Sequence, residues 1–387
     1  MSNDVGRATA SHAIEGSLAL AAAMGIGRFA YTALLPATQR ALAAGDDVAG
    51  ALASVNLGGY LVGVLVARQL ASRPGRGVAL RLGLAATALA TALGAATTSL
   101  VAWVGLRLTA GIASGLVFVL ASAAALEGGA GRAGLLYAGV GAGIALSGTV
   151  AALTPAAAGY GAPWMGLAAL AAGLSLPAWQ GLARAPAASV PATSGSRGVG
   201  LGLYRLSVAY FLEGLGYIVS GTFAVAAVRR TPGLEALAPW TWVLTGVAAA
   251  PSAVLWARAG RRMGTRRALA TAYLLQAVGM ALPCLSASAS AALAGAALFG
   301  GTFMGITTLA MDAGRSLAPA APGRIVGTLT AVYGVGQVLG PLLSGALSQR
   351  LGSATPGVLA AAGAVAIGGA VLAVPAAMTV SDPDPAR

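Results

Sequence analysis

The sequence predicts an all-α membrane protein: twelve transmembrane helices in two pseudo-symmetric six-helix bundles. Three observations predict it. Of the 387 residues, 57% are hydrophobic and 9% charged, and the mean hydropathy is +0.82, whereas a soluble chain carries about a quarter charged residues. The apolar residues gather into twelve stretches of roughly twenty, each long enough at about 1.5 Å per residue to cross a hydrocarbon core of about 30 Å. Short motifs of the first half also return in the second at a nearly constant offset.

The first predicted segment, 16–38, is the most informative. Arg28 stands at its centre, in the run Met24, Gly25, Ile26, Gly27, Arg28, Phe29, Ala30, Tyr31, Thr32. A guanidinium cannot shed its proton, so inside a bilayer it needs an anion, a cavity or water. Arg28 therefore marks a helix lining a polar path, and a stretch this long with a central arginine does not read as a cleaved signal peptide. Segments 48–70, 78–98, 101–126, 133–156 and 161–183 complete the first half; the second of the six carries Asn56 and Tyr60, the fourth Arg107. The second half is predicted at 203–227, with Glu213 and Tyr217, then 238–257, 267–286 with Gln276, 289–312, 325–348 with Tyr333 and Gln337, and 354–378. The 57 glycines suit helices that pack backbone to backbone. Between the halves, residues 184–200 are rich in Pro, Ser and Gly, the composition of a flexible connector. The predicted division is thus a bundle over 1–183, a linker over 184–200, and a second bundle with a short tail over 201–387.

All of the basic side chains other than the single histidine are arginines, and they orient the chain. With the N-terminus placed inside, seventeen arginines fall in inner loops and ends, four in outer loops (Arg40, Arg229, Arg230, Arg350), and two, Arg28 and Arg107, in the membrane. Positive residues gather on the cytoplasmic side, so both termini and the linker are expected there. The arginines lie in short loops between apolar segments, which excludes a nucleic-acid role as their explanation. One cysteine, Cys284, permits no internal disulfide and no thiolate metal site. Without a lysine there is no phosphate-binding Gly-rich loop ending in Lys, so ATP-driven transport by this chain alone is excluded. The single His12 lies outside the apolar run, which leaves neither a hydrolase triad nor a histidine proton relay. No enzymatic activity, cofactor or metal is expected.

The internal repeat is local and specific. Gly25-Ile26-Gly27 falls on Gly214-Leu215-Gly216 at an offset of 189, which puts Arg28 on Tyr217. Gly111 and Gly115 fall on Gly301 and Gly305 at 190, and Gly-Val-Gly recurs at 139–141 and 334–336. Two six-helix halves in parallel orientation, joined by a cytoplasmic linker, form a recurrent transporter architecture. The stretches Gly25 to Pro36, Asn56 to Leu61 and Phe211 to Phe223 make the resemblance specific: the chain resembles major facilitator transporters of the YbfB/YjiJ branch over nearly its whole length. That resemblance implies a bacterial inner-membrane carrier whose segments 1, 4, 7 and 10 line a central cavity. The loops 68–81 and 260–267 keep the basic residues of the superfamily motif but not its acid; Arg261 stands where one is expected. Gly336 to Gly345 is similar to a bending motif of antiporters but lies in the opposite half, so antiport is not inferred from it.

Six residues are the candidate substrate-binding or coupling set: Arg28, Glu213, Tyr31, Asn56, Tyr217 and Arg107. Glu213 is the natural counterpart of Arg28, one turn to the cytoplasmic side of it in the repeat alignment. Burial disfavours a charged carboxylate and a neighbouring arginine favours it. An anion arriving at Arg28 would therefore loosen Glu213's hold on its charge, a physical route to proton coupling. The competing reading is a static Arg–Glu pair joining the halves. Arg107, nearer the outer end of its segment, either snorkels or serves a gate. Asp312 and Arg315 are expected as a surface i,i+3 pair, and Trp103, Trp164, Trp240 and Trp242 as interfacial anchors. The function expected is secondary transport of a small solute, with an anionic group favoured, by alternating access in a monomer embedded in lipid and driven by protons. The alternative is an efflux pump for amphipathic or cationic compounds, with Glu213 attracting the cation.

Overall fold

The computed structural model describes residues 2–71, 73–126, 133–184, 200–317 and 322–374. The predicted linker, all but its ends, and the tail lie outside the described residues, as do Arg132, Arg197 and Arg387. Every regular element among the described residues is helical. In chain order they are α1 (Ser2–Leu20), a π-helical turn (Ala21–Ile26), α2 (Ala30–Leu42), α3 (Asp46–Leu70), α4 (Arg76–Ala95), α5 (Leu100–Ala125), α6 (Ala133–Leu153) and α7 (Gly161–Gln180). There follow α8 (Leu201–Arg229), α9 (Ala238–Met263), α10 (Thr265–Leu285), α11 (Ala289–Leu317), α12 (Pro322–Leu351) and α13 (Thr355–Ala373).

Among the described residues there are twelve candidate spans, because α1 from Ser11, the π turn and α2 form one continuous stretch, Ser11–Leu42. The spans match the predicted segments to within a few residues at most ends; α9 and α11 run on past their apolar stretches to Met263 and Leu317, and so carry their terminal arginines as helix rather than loop. The outer surface of the bundle is apolar; Val101, Leu82, Leu89, Leu153 and Leu285 are among its large exposed side chains, a belt that suits lipid and not water. Several buried threonines satisfy themselves inside the helix, as when Thr87, Thr222 and Thr245 donate to the carbonyl four residues back.

The two halves meet along three helix pairs: α3 against α12, α6 against α9, and α2 against α8. The first two seams are built from backbone. A Cβ on Gly141 would stand 2.6 Å from the carbonyl oxygen of Gly246, and Gly50 and Gly345 face Pro341 and Asp46 across the other seam in the same way. Only glycine permits such approach. At the third pair, residues equivalent in the repeat touch each other. Arg28 reaches Tyr217, and the Thr32 hydroxyl donates to the Gly221 carbonyl, both pairs 189 residues apart. This is what positions lying near the axis of a pseudo-twofold must do.

The tryptophans correct one expectation. Trp240 is exposed, but Trp103, Trp164 and Trp242 are buried to 4% exposure or less. Trp103 packs edge-on against Trp164 at 5.2 Å and lies tilted against Tyr31 at 6.2 Å, and its indole N–H donates to the Thr97 carbonyl. Position near a helix end misled here, because these rings face neighbouring helices. Asp312 and Arg315 do form the exposed i,i+3 pair, at 3.2 Å.

Candidate functional site

The first span breaks where its arginine sits. Gly27 and Phe29 donate their amides to carbonyls five residues back, Ala22 and Met24, and regular α-helix resumes only at Ala30. Insertions of this kind cluster at functional sites because they turn side chains that a straight helix would space evenly. Close packing on α6 needs the small residues of this turn: Gly25 lies against Gly143 of α6.

Arg28 emerges from the break into the bundle, 4% exposed. Its guanidinium carbon lies 4.4 Å from the Tyr60 ring centroid and 5.0 Å from that of Phe29, and Nη2 donates to the Tyr217 hydroxyl at 3.3 Å. Gln337 of α12 also donates to that hydroxyl, and the Tyr217 ring stacks between Phe303 and Tyr333. The Arg28 Nε has no hydrogen-bond partner.

Arg107 joins it. Rather than snorkelling to the membrane surface, Arg107 is 5% exposed, with its guanidinium carbon 4.4 Å from the Tyr31 ring centroid. Asn56 Nδ2 donates to the Arg107 carbonyl at 2.9 Å, tying α3 to α5 at that turn, while Tyr31 donates to the Ala49 carbonyl at 3.2 Å. Arg28, Arg107, Asn56, Tyr31, Phe29 and Thr32 line one cavity of about 10 Å³, closed on the other side by Ile218, Gly221 and Thr222 of α8. That is room for about one water. Among the described residues neither arginine has a carboxylate within 4.0 Å; Asp46 pairs with Arg230 and Asp312 with Arg315 instead.

Glu213 is not the partner of Arg28. It lies one helical turn before Tyr217 on α8, 1% exposed, and accepts from Gln276 Nε2 at 2.5 Å. Thr302 donates to the other end of that amide, Gln276 Oε1, at 2.9 Å. Its second oxygen, Oε2, is buried without a partner. The static Arg28–Glu213 pair is therefore absent: the Tyr217 hydroxyl takes the position between the halves that a carboxylate would have filled. Cations sit in the first half and the carboxylate in the second, each with unsatisfied atoms.

One ionic contact went unread in the sequence. At the arginine-poor face, Arg230 donates both Nη groups to Asp46, at 2.7 and 2.6 Å, and Gln39 Nε2 adds a bond to Asp46 Oδ1 at 2.8 Å. The pair joins the end of α8 to the start of α3, one half to the other. Its signal was the rarity of acids, ten in the whole chain; Arg230 had been read only as a topology charge.

Residues 20–373 match the family model described as the uncharacterised MFS-type transporter YbfB. No curated protein matches the chain. Among solved structures, the nucleoside transporter NupG superposes with a TM-score of 0.70 at 14% identity, covering 94% of this chain and 98% of its own. An aspartate-to-alanine mutant of NupG gives 0.72 at 13%, with 93% and 98% covered. The human organic anion transporter MFSD10 (TETRAN) gives 0.63 at 17%, with 95% and 99% covered. At such identities these likenesses establish the fold.

Proposed function

Because the chain belongs to the family of the uncharacterised MFS-type transporter YbfB, we propose that it is a secondary active transporter moving a small anionic solute across a bacterial inner membrane. It works as a monomer by alternating access, with protons as the coupling ion and with the arginine-rich face and both termini cytoplasmic. The observation that carries this reading is the cavity between the halves, where Arg28 and Arg107 are desolvated with no carboxylate beside them among the described residues. A desolvated cation is costly without a counter-charge, and stacking on Tyr60, Phe29 and Tyr31 offsets only part of that cost. A transported anion completes the site. The domain division at 184–200 fits the rocking of two six-span halves about it.

Glu213 supports the proton arm. A carboxylate enclosed by protein, hydrogen-bonded through one oxygen and free at the other, can take up and release a proton at modest cost to the fold. It lies one turn of α8 from Tyr217, which contacts Arg28, so occupancy at the arginines is relayed to it through one helix. In proteoliposomes, an inward proton gradient is expected to drive accumulation of labelled small carboxylates, and a protonophore to abolish it. The efflux reading has one observation of its own, the buried Glu213 carboxylate with one oxygen free of hydrogen bonds, a negative charge that would attract an organic cation. A cation entering between the halves would meet two unneutralised arginines, which favours the anion. Proton-driven movement of organic cations with no carboxylate flux would reverse the assignment.

A further inference from the structure

We infer that the transported anion carries two carboxylates on a short linker, one for Arg28 and one for Arg107. The inference rests on the anion-transport reading above and adds the count and spacing of charges. Both guanidiniums line the same cavity, and in each the Nε is buried without a partner. Their flat faces are already taken, Arg28 by Tyr60 and Phe29 and Arg107 by Tyr31. What remains for a ligand is the in-plane edge of each, the fork of N–H donors that fits the two oxygens of a carboxylate.

A monoanion would leave one guanidinium dehydrated and uncompensated, whereas two carboxylates neutralise both. Both arginines border one cavity, so the carboxylates they hold lie close together, which limits the linker to a few carbons; the free volume of about 10 Å³ holds about one water, so the halves must part to admit the ligand. Both arginines also belong to the first six spans, and Asn56 fixes the turn of Arg107 from within that half. The two charges therefore keep their spacing when the halves move, and the second half contributes uncharged contacts through Tyr217, Gly221 and Thr222. Spacing held by one rigid body selects for chain length.

The test uses the purified full chain and measures binding by calorimetry and thermal shift with malonate, succinate, glutarate, monomethyl succinate, butyrate and inorganic phosphate. Succinate or a neighbour in that series is expected to bind at least about tenfold more tightly than monomethyl succinate, which differs from it by one charge. In Arg107→Gln that ratio is expected to fall towards one while monomethyl succinate still binds; Arg107→Lys should retain most of it. The wild-type ratio stands as a test even if a variant does not fold. Equal binding of succinate and monomethyl succinate to wild type overturns the two-carboxylate assignment and leaves anion transport intact. Phosphate binding more tightly than every dicarboxylate overturns it in favour of one compact oxyanion. Binding of no anion overturns both the inference and the reading beneath it.

Discussion

If the halves rock apart at the arginine-poor face, the Asp46–Arg230 pair must break in every cycle, and Asp46→Asn should bias the protein towards opening there. The size of the bias follows from the geometry. The contact is bidentate at 2.7 and 2.6 Å, and Gln39 also holds Asp46. Asp46 is 10% exposed at the side chain but Arg230 is 48% exposed, so an Arg230 that loses its partner is rehydrated at little cost. A fully exposed pair contributes about 0–1 kcal/mol and breaking a buried one costs about 3–5; this one belongs between, at about 1–2 kcal/mol. A tenfold change corresponds to about 1.4 kcal/mol, so the open population should rise about five- to thirtyfold. Thr222, buried against the Arg28 cavity on α8, can report it. In a Cys284→Ser background, Thr222→Cys should react with a maleimide faster by that factor when Asp46→Asn is added, and Arg230→Gln should act alike. Disrupting the exposed Asp312–Arg315 pair should leave the rate unchanged. An unaltered labelling rate in Asp46→Asn with a lowered melting temperature would show that the pair braces the fold and does not gate it.

Arg28→Lys keeps the charge but loses the planar fork and the stacking on Tyr60, so anion affinity should fall about ten- to hundredfold; wild-type affinity in isothermal titration would reduce Arg28 to a packing role. Glu213→Gln should abolish accumulation driven by a pH gradient while exchange of internal for external substrate survives. Because Glu213 has no arginine partner to orphan among the described residues and Gln276 can still donate to its replacement, the melting temperature should change little; a stable variant that still concentrates substrate would remove Glu213 from the coupling path. Reporter fusions should place both termini and the 184–200 linker in the cytoplasm, and a periplasmic signal from any of the three would overturn the orientation.

The residues show which features a sequence can carry here. Span number and position follow from length and hydropathy alone, because a bilayer has one thickness. The repeat was legible because glycines at helix contacts cannot be replaced, and the 189-residue offset that aligned Gly25 with Gly214 also paired Arg28 with Tyr217 and Thr32 with Gly221 in space. The facing of each helix was not legible. In a soluble helix the polar stripe marks the outside, but here lipid-facing and core-facing sides are both apolar, so Trp103 and Trp164 looked no different from anchors and Arg107 no deeper than a snorkelling residue. Arg28 and Glu213 stand out as unusual residues, yet charge attraction suggests a pair where Arg28 instead donates to the Tyr217 hydroxyl and Glu213 accepts from Gln276. The Asp46–Arg230 contact escaped because its two residues are 184 positions apart and sit at helix ends, where charges are ordinary.

The backbone-to-backbone seams carry a consequence for speed. Interlocked side chains impose a washboard on sliding surfaces, since each step lifts knobs out of holes and resets rotamers. Where Gly141 faces Gly246 and Gly50 faces Pro341, the washboard is nearly flat, and one surface can glide over the other with little internal friction. Resistance is then concentrated in a few polar ties, Arg230 to Asp46, Arg28 to Tyr217 and Thr32 to Gly221. Turnover can thus be tuned by substituting single polar residues, while a bulky residue in a seam would act as a brake.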